Sequence, residues 1–108
     1  MPIYITQNRY SSEAITNMIN SADGRKEQIA KHIEQVGGKL IEYYFCNAEY
    51  DAVGIYELPD ADTALSLCAA VKAMGFVTEM KTTALITSQE AANAFNKAKG
   101  INITPPMS

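Results

Sequence analysis

Apolar and polar positions alternate strictly over residues 2–9, with Ile3 and Ile5 on one side and Tyr4, Thr6 and Asn8 on the other, the period of a strand with two distinct faces. A helical spacing follows. Ser11 or Ser12 caps a short stretch carrying Ile15, Met18 and Ile19, Ser21–Gly24 interrupts it, and Ile29, Ile33 and Val36 then stand at i, i+4 and i+7 before Gly37-Gly38 stops the helix. Residues 39–46 return to alternation, with Ile41, Tyr43 and Phe45 opposite Leu40, Glu42 and Tyr44. A short hairpin leads to a third strand over 50–58, which ends at Pro59. Asp60 caps a second long helix, whose broad stripe runs through Ala64, Leu65, Leu67, Cys68, Val71 and Met74 and ends at Gly75. Residues 76–87 form a fourth strand. Thr87-Ser-Gln-Glu90 has the form of a capping box and starts a last helix over 91–99, with Gly100 as its stop.

This order predicts an α+β ferredoxin-like βαββαβ fold: an antiparallel sheet with the first and third strands central, two helices on one face, and an extra C-terminal helix. A chain of 108 residues holds one such domain, assigned to residues 1–100, with 101–108 as a tail. With the aliphatic side of each strand turned inward, the helix-facing set is Ile3, Ile5, Ile41, Tyr43, Phe45, Val53, Ile55, Met80, Ala84 and Ile86. The open face then carries Tyr4, Thr6, Asn8, Glu42, Tyr44, Cys46, Ala52, Gly54, Tyr56, Glu79, Lys81 and Thr83. Three tyrosines among small residues and a few charges make a surface suited to being covered, and a second copy of the same sheet is the simplest cover. A cavity between two such sheets would have Tyr4, Thr6, Tyr44 and Tyr56 as walls and Glu42 or Lys81 as polar anchors.

Composition narrows the field by exclusion. Nine Lys+Arg against twelve Asp+Glu give a net charge of −3, which lacks the electrostatic footprint of a nucleic-acid binder. Arg25, Lys26, Lys31, His32 and Lys39 are the one basic concentration and are assigned to a solvated helix face. Cys46 and Cys68 fit no disulfide framework or metal spacing, so both are assigned as reduced thiols, and neither a metal nor another cofactor is expected. The absence of a signal-like N-terminus or a long apolar run leads to an expectation of a cytoplasmic protein with no membrane partner.

The hairpin reads Asn47-Ala48-Glu49-Tyr50-Asp51-Ala52-Val53, between Gly37-Gly38-Lys39-Leu40 and Glu57-Leu58-Pro59-Asp60. This resembles the GYD-domain family of small bacterial and archaeal proteins, in which a Gly-Gly-Lys block precedes Gly-Glu-Tyr-Asp and a Pro-Asp helix start. Tyr4-Ile5, Ser21, Arg25, Gly75, Thr82-Thr83-Ala84-Leu85 and Glu90 extend the likeness over about residues 2–90. Glu49, Tyr50 and Asp51 are its motif residues, and Ala48 stands where the family usually has Gly. The resemblance implies dimeric α/β barrels of unassigned function. The hairpin is also similar to the effector-binding domains of feast/famine transcription regulators, which bind amino acids between subunits, although too few residues precede Tyr4 here for a helix-turn-helix.

For individual side chains the structural assignment outweighs the chemical one. Asp51 is assigned to pinning turn amides rather than a ligand amine, Cys46 to packing, and His32 to the helix edge outside any cavity. Glu42 and Glu79, as an acid and base pair, would lie on opposite edge strands. The reading that results is a non-enzymatic homodimer binding a small polar or amphipathic molecule between its sheets. The alternative is a cofactor-free or haem-linked monooxygenase of the dimeric α/β-barrel type, which would need a polar catalytic group inside the cavity.

Overall fold

The computed structural model describes residues 1–107. Its elements run β1 (Ile3–Tyr10), α1 (Ser12–Asn20), α2 (Arg25–Gln35), β2 (Lys39–Phe45), β3 (Ala52–Glu57), α3 (Ala61–Ala73), β4 (Val77–Leu85) and α4 (Ser88–Ala98). The sheet is antiparallel throughout, with strand order β2-β3-β1-β4, so β1 and β3 are central as the βαββαβ pattern requires. The caps lie where the sequence puts them. Ser11 accepts from the Ala14 amide and Asp60 from the Thr63 amide, while Thr87 and Glu90 close a reciprocal capping box. That box starts α4 at Ser88, three residues before the expected 91, and β4 ends earlier than expected, at Leu85.

The central strands reverse the expected faces. Tyr4, Thr6, Asn8 and Tyr10 of β1, and Ala52, Gly54 and Tyr56 of β3 with Leu58 beyond it, are the buried positions, packed beneath the helices. Ile3, Ile5, Val53 and Ile55 lie on the opposite side. The reason is the row of small residues on β3: Gly54 leaves room for the Tyr43 ring, whose Cδ1 would stand 3.2 Å from a Cβ placed there. Ala52 and Gly54 thus seat large rings beneath the helices, with the Tyr10 and Tyr43 hydroxyls bonded to each other and the Tyr56 hydroxyl to Thr6, which removes the main cost of burying those three.

The outer strands follow the expected faces more closely. Met80, Thr82 and Ala84 of β4 pair with Asn8, Thr6 and Tyr4 and share their face. On β2 a register shift between Leu40 and Glu42 makes Ile41 the extra residue, so Leu40 and Tyr43 fall in phase on the helix side and Ile41 is left 44 % exposed. Phe45 shares the face of Ala52 and meets Tyr43 edge-on, yet stays 57 % exposed beyond the end of the helix layer.

Two packed clusters form the core. Tyr4, Ile33, Tyr56, Leu58 and Ala64 make one, and Tyr10, Ala14, Tyr43 and Ala52 the other, with Ile29 and Leu40 packed against both. At the end of α2, Gly37 adopts φ +84° and Gly38 lets the chain turn onto β3: a Cβ on Gly38 would stand 2.4 Å from the Glu57 carbonyl oxygen and 2.6 Å from Leu58 Cδ2. Ala48, by contrast, requires no glycine, since every residue with positive φ among those described is a glycine.

The far end of the chain is different. α4 has no buried residue, Phe95 is 70 % exposed and Ile86 61 %. The radius of gyration is 17.4 Å, against about 13 Å for a compact chain of this length. The C-terminal helix therefore extends away from the protomer's own core.

Candidate functional site

The reversal of the central strands moves the candidate site. A cavity of about 420 Å³ opens within the protomer, between the sheet and helices α2 and α3. Its floor is the buried face of the sheet: Thr6, Asn8 and Tyr10 from β1, Tyr43 from β2, Gly54 and Tyr56 from β3, and Met80 from β4. Its roof is apolar toward α3, with Leu67, Cys68 and Val71, and mixed toward α2, where Arg25, Gln28, Ile29, His32 and Ile33 stand at i, i+3, i+4, i+7 and i+8 on one helical face.

The floor carries two hydroxyl networks. In one, Tyr56 and Thr6 share a hydrogen bond, Thr6 Oγ1 lies 2.9 Å from Thr82 Oγ1, and Thr82 Oγ1 lies 3.3 Å from Cys68 Sγ. A continuous row of exchangeable protons thus runs from β3 across β1 and β4 to α3. In the other, the hydroxyls of Tyr10 and Tyr43 are hydrogen-bonded, and Arg25 Nη2 donates to Tyr10 Oη at 3.3 Å. The same guanidinium lies over the Tyr10 ring, 5.5 Å from its centre, and Nη1 donates to Gln28 Oε1 at 3.2 Å.

Burial dominates the acid-base behaviour of these rings. It pushes the Tyr43 hydroxyl far above the ordinary tyrosine range; Tyr10 adds in the same direction and Arg25 pulls it partly back. Burial raises the Tyr56 hydroxyl too, against the opposing hydrogen bond from Thr6. Both rings stay neutral over the physiological range and act as hydrogen-bonding groups. Two shielded polar atoms lack partners in the site, Asn8 Oδ1 and Arg25 Nε.

The residues singled out from the sequence therefore divide. Tyr4, Thr6 and Tyr56 lie beneath the helices; Tyr4 stacks on Tyr56 with centroids 6.1 Å apart, while Thr6 and Tyr56 line the cavity. Tyr44 is 57 % exposed and Lys81 is exposed on the opposite face of the sheet. Glu42, on the edge strand, is held by Lys26 of α2 at 2.6 Å. That contact, a hydrogen bond and ion pair in one, lowers the Glu42 carboxyl and raises the Lys26 ammonium. The six expected pocket residues thus never meet in one pocket of the protomer. Glu42 and Glu79 likewise stay apart, each with a basic partner of its own, since Arg9 Nε lies 3.5 Å from Glu79.

Arg25, assigned from the sequence to a solvated helix face, is half-buried and lines the cavity, and His32, exposed as expected, stands at its rim rather than outside it. The signal was present: both share a helical face with the apolar stripe of Ile29 and Ile33, which must point at the sheet. Asp51 pins backbone, though of β1 rather than of its own turn, accepting the Tyr10 amide at 2.9 Å, while the Glu49 carbonyl accepts from Arg9 Nε at 2.6 Å. Cys46 and Cys68 are both free thiols, and among the described residues no group of three or more His, Cys, Asp or Glu is placed to hold a metal. No helix among them is long and apolar enough to cross a membrane.

A four-stranded antiparallel sheet with its helices on one face defines the ferredoxin-like α+β class, and solved structures agree. The chain is similar to TTHA0845 from Thermus thermophilus (TM-score 0.55, 15 % identity, 82 % of this chain and 96 % of that one) and to the hypothetical protein PHS023 from Pyrococcus horikoshii (0.51, 13 %, 82 % and 93 %). It is also similar to an uncharacterised NIPSNAP domain protein from Burkholderia xenovorans (0.50, 9 %, 82 % and 95 %). At these identities the likeness shows the fold alone. The GYD domain matches residues 4–95, and the protein belongs to the GYD-domain family. No curated protein matches it.

Proposed function

We propose that this GYD-domain protein is a homodimeric binding module that takes a small amphipathic molecule in the cavity between the sheet and helices of each protomer. The observation that carries the reading is the composition of that 420 Å³ space: apolar side chains of α2 and α3 on one side, hydroxyls and a guanidinium on the other. Its volume falls in the range of roughly 300–1,000 Å³ usual for ligand pockets. The dimer rests on the opposite face of the sheet, where Ile3, Ile5, Val53 and Ile55 form an aliphatic patch that the protomer's own helices do not cover. The unpacked α4 supports it as well, because a helix with Phe95 exposed gains by lying against a second copy.

Native mass spectrometry of the purified chain tests both parts. The expected result is a dimer carrying one added mass per protomer, with Val71→Trp removing the added mass and leaving the dimer. A wild-type protein that stays monomeric, or that binds no small molecule as purified or on titration, would overturn the corresponding part.

A second reading is favoured by one observation. His32 lines the cavity, as does the half-buried thiol of Cys68, so a titratable group and a nucleophile share one pocket, which is the polar catalytic equipment that the monooxygenase-type alternative needs. Oxygen uptake with a reduced quinol, lost in His32→Ala, would establish that reading; no uptake would remove it.

A further inference from the structure

We infer that the molecule held in this cavity is an organic anion with an uncharged hydrogen-bond donor beside its charge, a hydroxy acid on an apolar body, and that Arg25 is its anchor. The inference rests on the binding reading above and adds the chemical class. The cavity is lined by a guanidinium and an imidazole but by no Asp, Glu or Lys, although acidic residues outnumber basic ones in the chain. Among the described residues Arg25 forms no salt bridge. Its partners are the Gln28 amide oxygen, the Tyr10 hydroxyl and the Tyr10 ring, all neutral, and Nε has none. A half-buried cation normally has a counter-ion, and guanidinium is shaped to take a planar oxyanion on two N–H groups.

Asn8 supplies the second half. It is 8 % exposed, lines the same cavity, and its Oδ1 has no donor. A hydroxyl or N–H on a ligand that reaches this oxygen supplies the donor it lacks. An ammonium would meet no carboxylate, which disfavours zwitterionic amino acids against hydroxy acids. The walls of Ile29, Ile33, Leu67 and Val71 require the rest of the molecule to be apolar.

The probes are 3-hydroxy-2-naphthoate, followed by its own fluorescence, and 2-naphthylmethylamine, of similar size and opposite charge, titrated calorimetrically into the full chain. The acid is expected to bind at least about tenfold more tightly than the amine. Gln28→Glu places a carboxylate beside Arg25 on an exposed side chain and is expected to weaken the acid about tenfold or more while leaving the amine unchanged or improved. Arg25→Gln should weaken the acid similarly, with Arg25→Lys recovering part of the loss. Equal binding of acid and amine, or an acid affinity indifferent to Gln28→Glu in a folded variant, would overturn the anion assignment and leave the cavity as a binding site. No binding of either probe would overturn both.

Discussion

The Asp51 carboxylate accepts the backbone N–H of Tyr10 at 2.9 Å, joining the β2–β3 hairpin to the end of β1 at the point where β1 slips register against β4. The bond sits beside two others, Asp51 N–H to the Asn8 carbonyl at 2.8 Å and Cys46 N–H to the Asp51 carbonyl at 2.7 Å. The β1–β3 ladder ends where Asn8 stands opposite Ala52, so the Tyr10 amide on that side lies beyond it, and a carboxylate is the strong acceptor that takes the place of a strand carbonyl. The Asp of the family motif thus acts as a structural clamp that fixes Tyr10, and with it one wall of the cavity.

Asp51→Ala is therefore expected to destabilise the fold by about 1–3 kcal/mol, the cost of leaving a shielded amide unpaired. Glu49→Ala, which removes an exposed side chain whose backbone carbonyl does the bonding, should change stability by less than about 0.5 kcal/mol. Chemical denaturation of the two variants side by side checks this, and equal losses would contradict the clamp.

Gly38→Ala is expected to cost about 2 kcal/mol or more, because its methyl group would meet the Glu57 carbonyl and the Leu58 and Ile33 side chains at 2.4–2.8 Å, within a packed core. Gly100→Ala, whose nearest neighbour is 3.7 Å away, serves as the tolerated comparison in the same thermal melts.

Ile5→Lys should convert the proposed dimer to a monomer in sedimentation velocity while leaving the proposed binding of 3-hydroxy-2-naphthoate in place, because Ile5 and the cavity lie on opposite faces of the sheet. Glu42→Gln, at an exposed ion pair with Lys26, should alter neither the dimer nor the binding. Loss of binding in both variants would return the site to the space between the sheets.

Alkaline stability should report the buried tyrosines. The hydroxyls of Tyr43 and Tyr56 are raised above the unfolded value of about 10, so the folded state keeps protons that the unfolded chain releases. Their contribution is whole below pH 10 and is lost as the pH climbs beyond it, at up to about 1.4 kcal/mol per pH unit for each ring. Tyr43→Phe should flatten the decline in a denaturation series from pH 9 to 12, and an unchanged slope would show that the ring ionises freely in the folded protein.

The order and type of the elements were legible in the sequence because they are set locally. The capping residues Ser11, Asp60 and Thr87 with Glu90, the helix stop at Gly37 and the short hairpin before Asp51 each act within a few residues, and strand order follows from the succession of elements. That Asp51 pins backbone was legible in the motif, but its partner, the Tyr10 amide 41 positions earlier in the chain, was not. Which face of β1 and β3 turned inward was not. Both faces of those strands carry apolar groups, so alternation gave a period and no phase; aliphatic-inward was the natural choice and the tyrosines took the place instead. That phase was decided by contacts between residues far apart in the chain: Tyr43 over Gly54, Thr6 with Tyr56 and Thr82, Tyr10 with Tyr43. A one-residue phase moves every side chain of a strand to the other face, so the same choice carried the candidate site from the gap between two sheets to the space under α2 and α3, where Arg25 and His32 are among the lining residues.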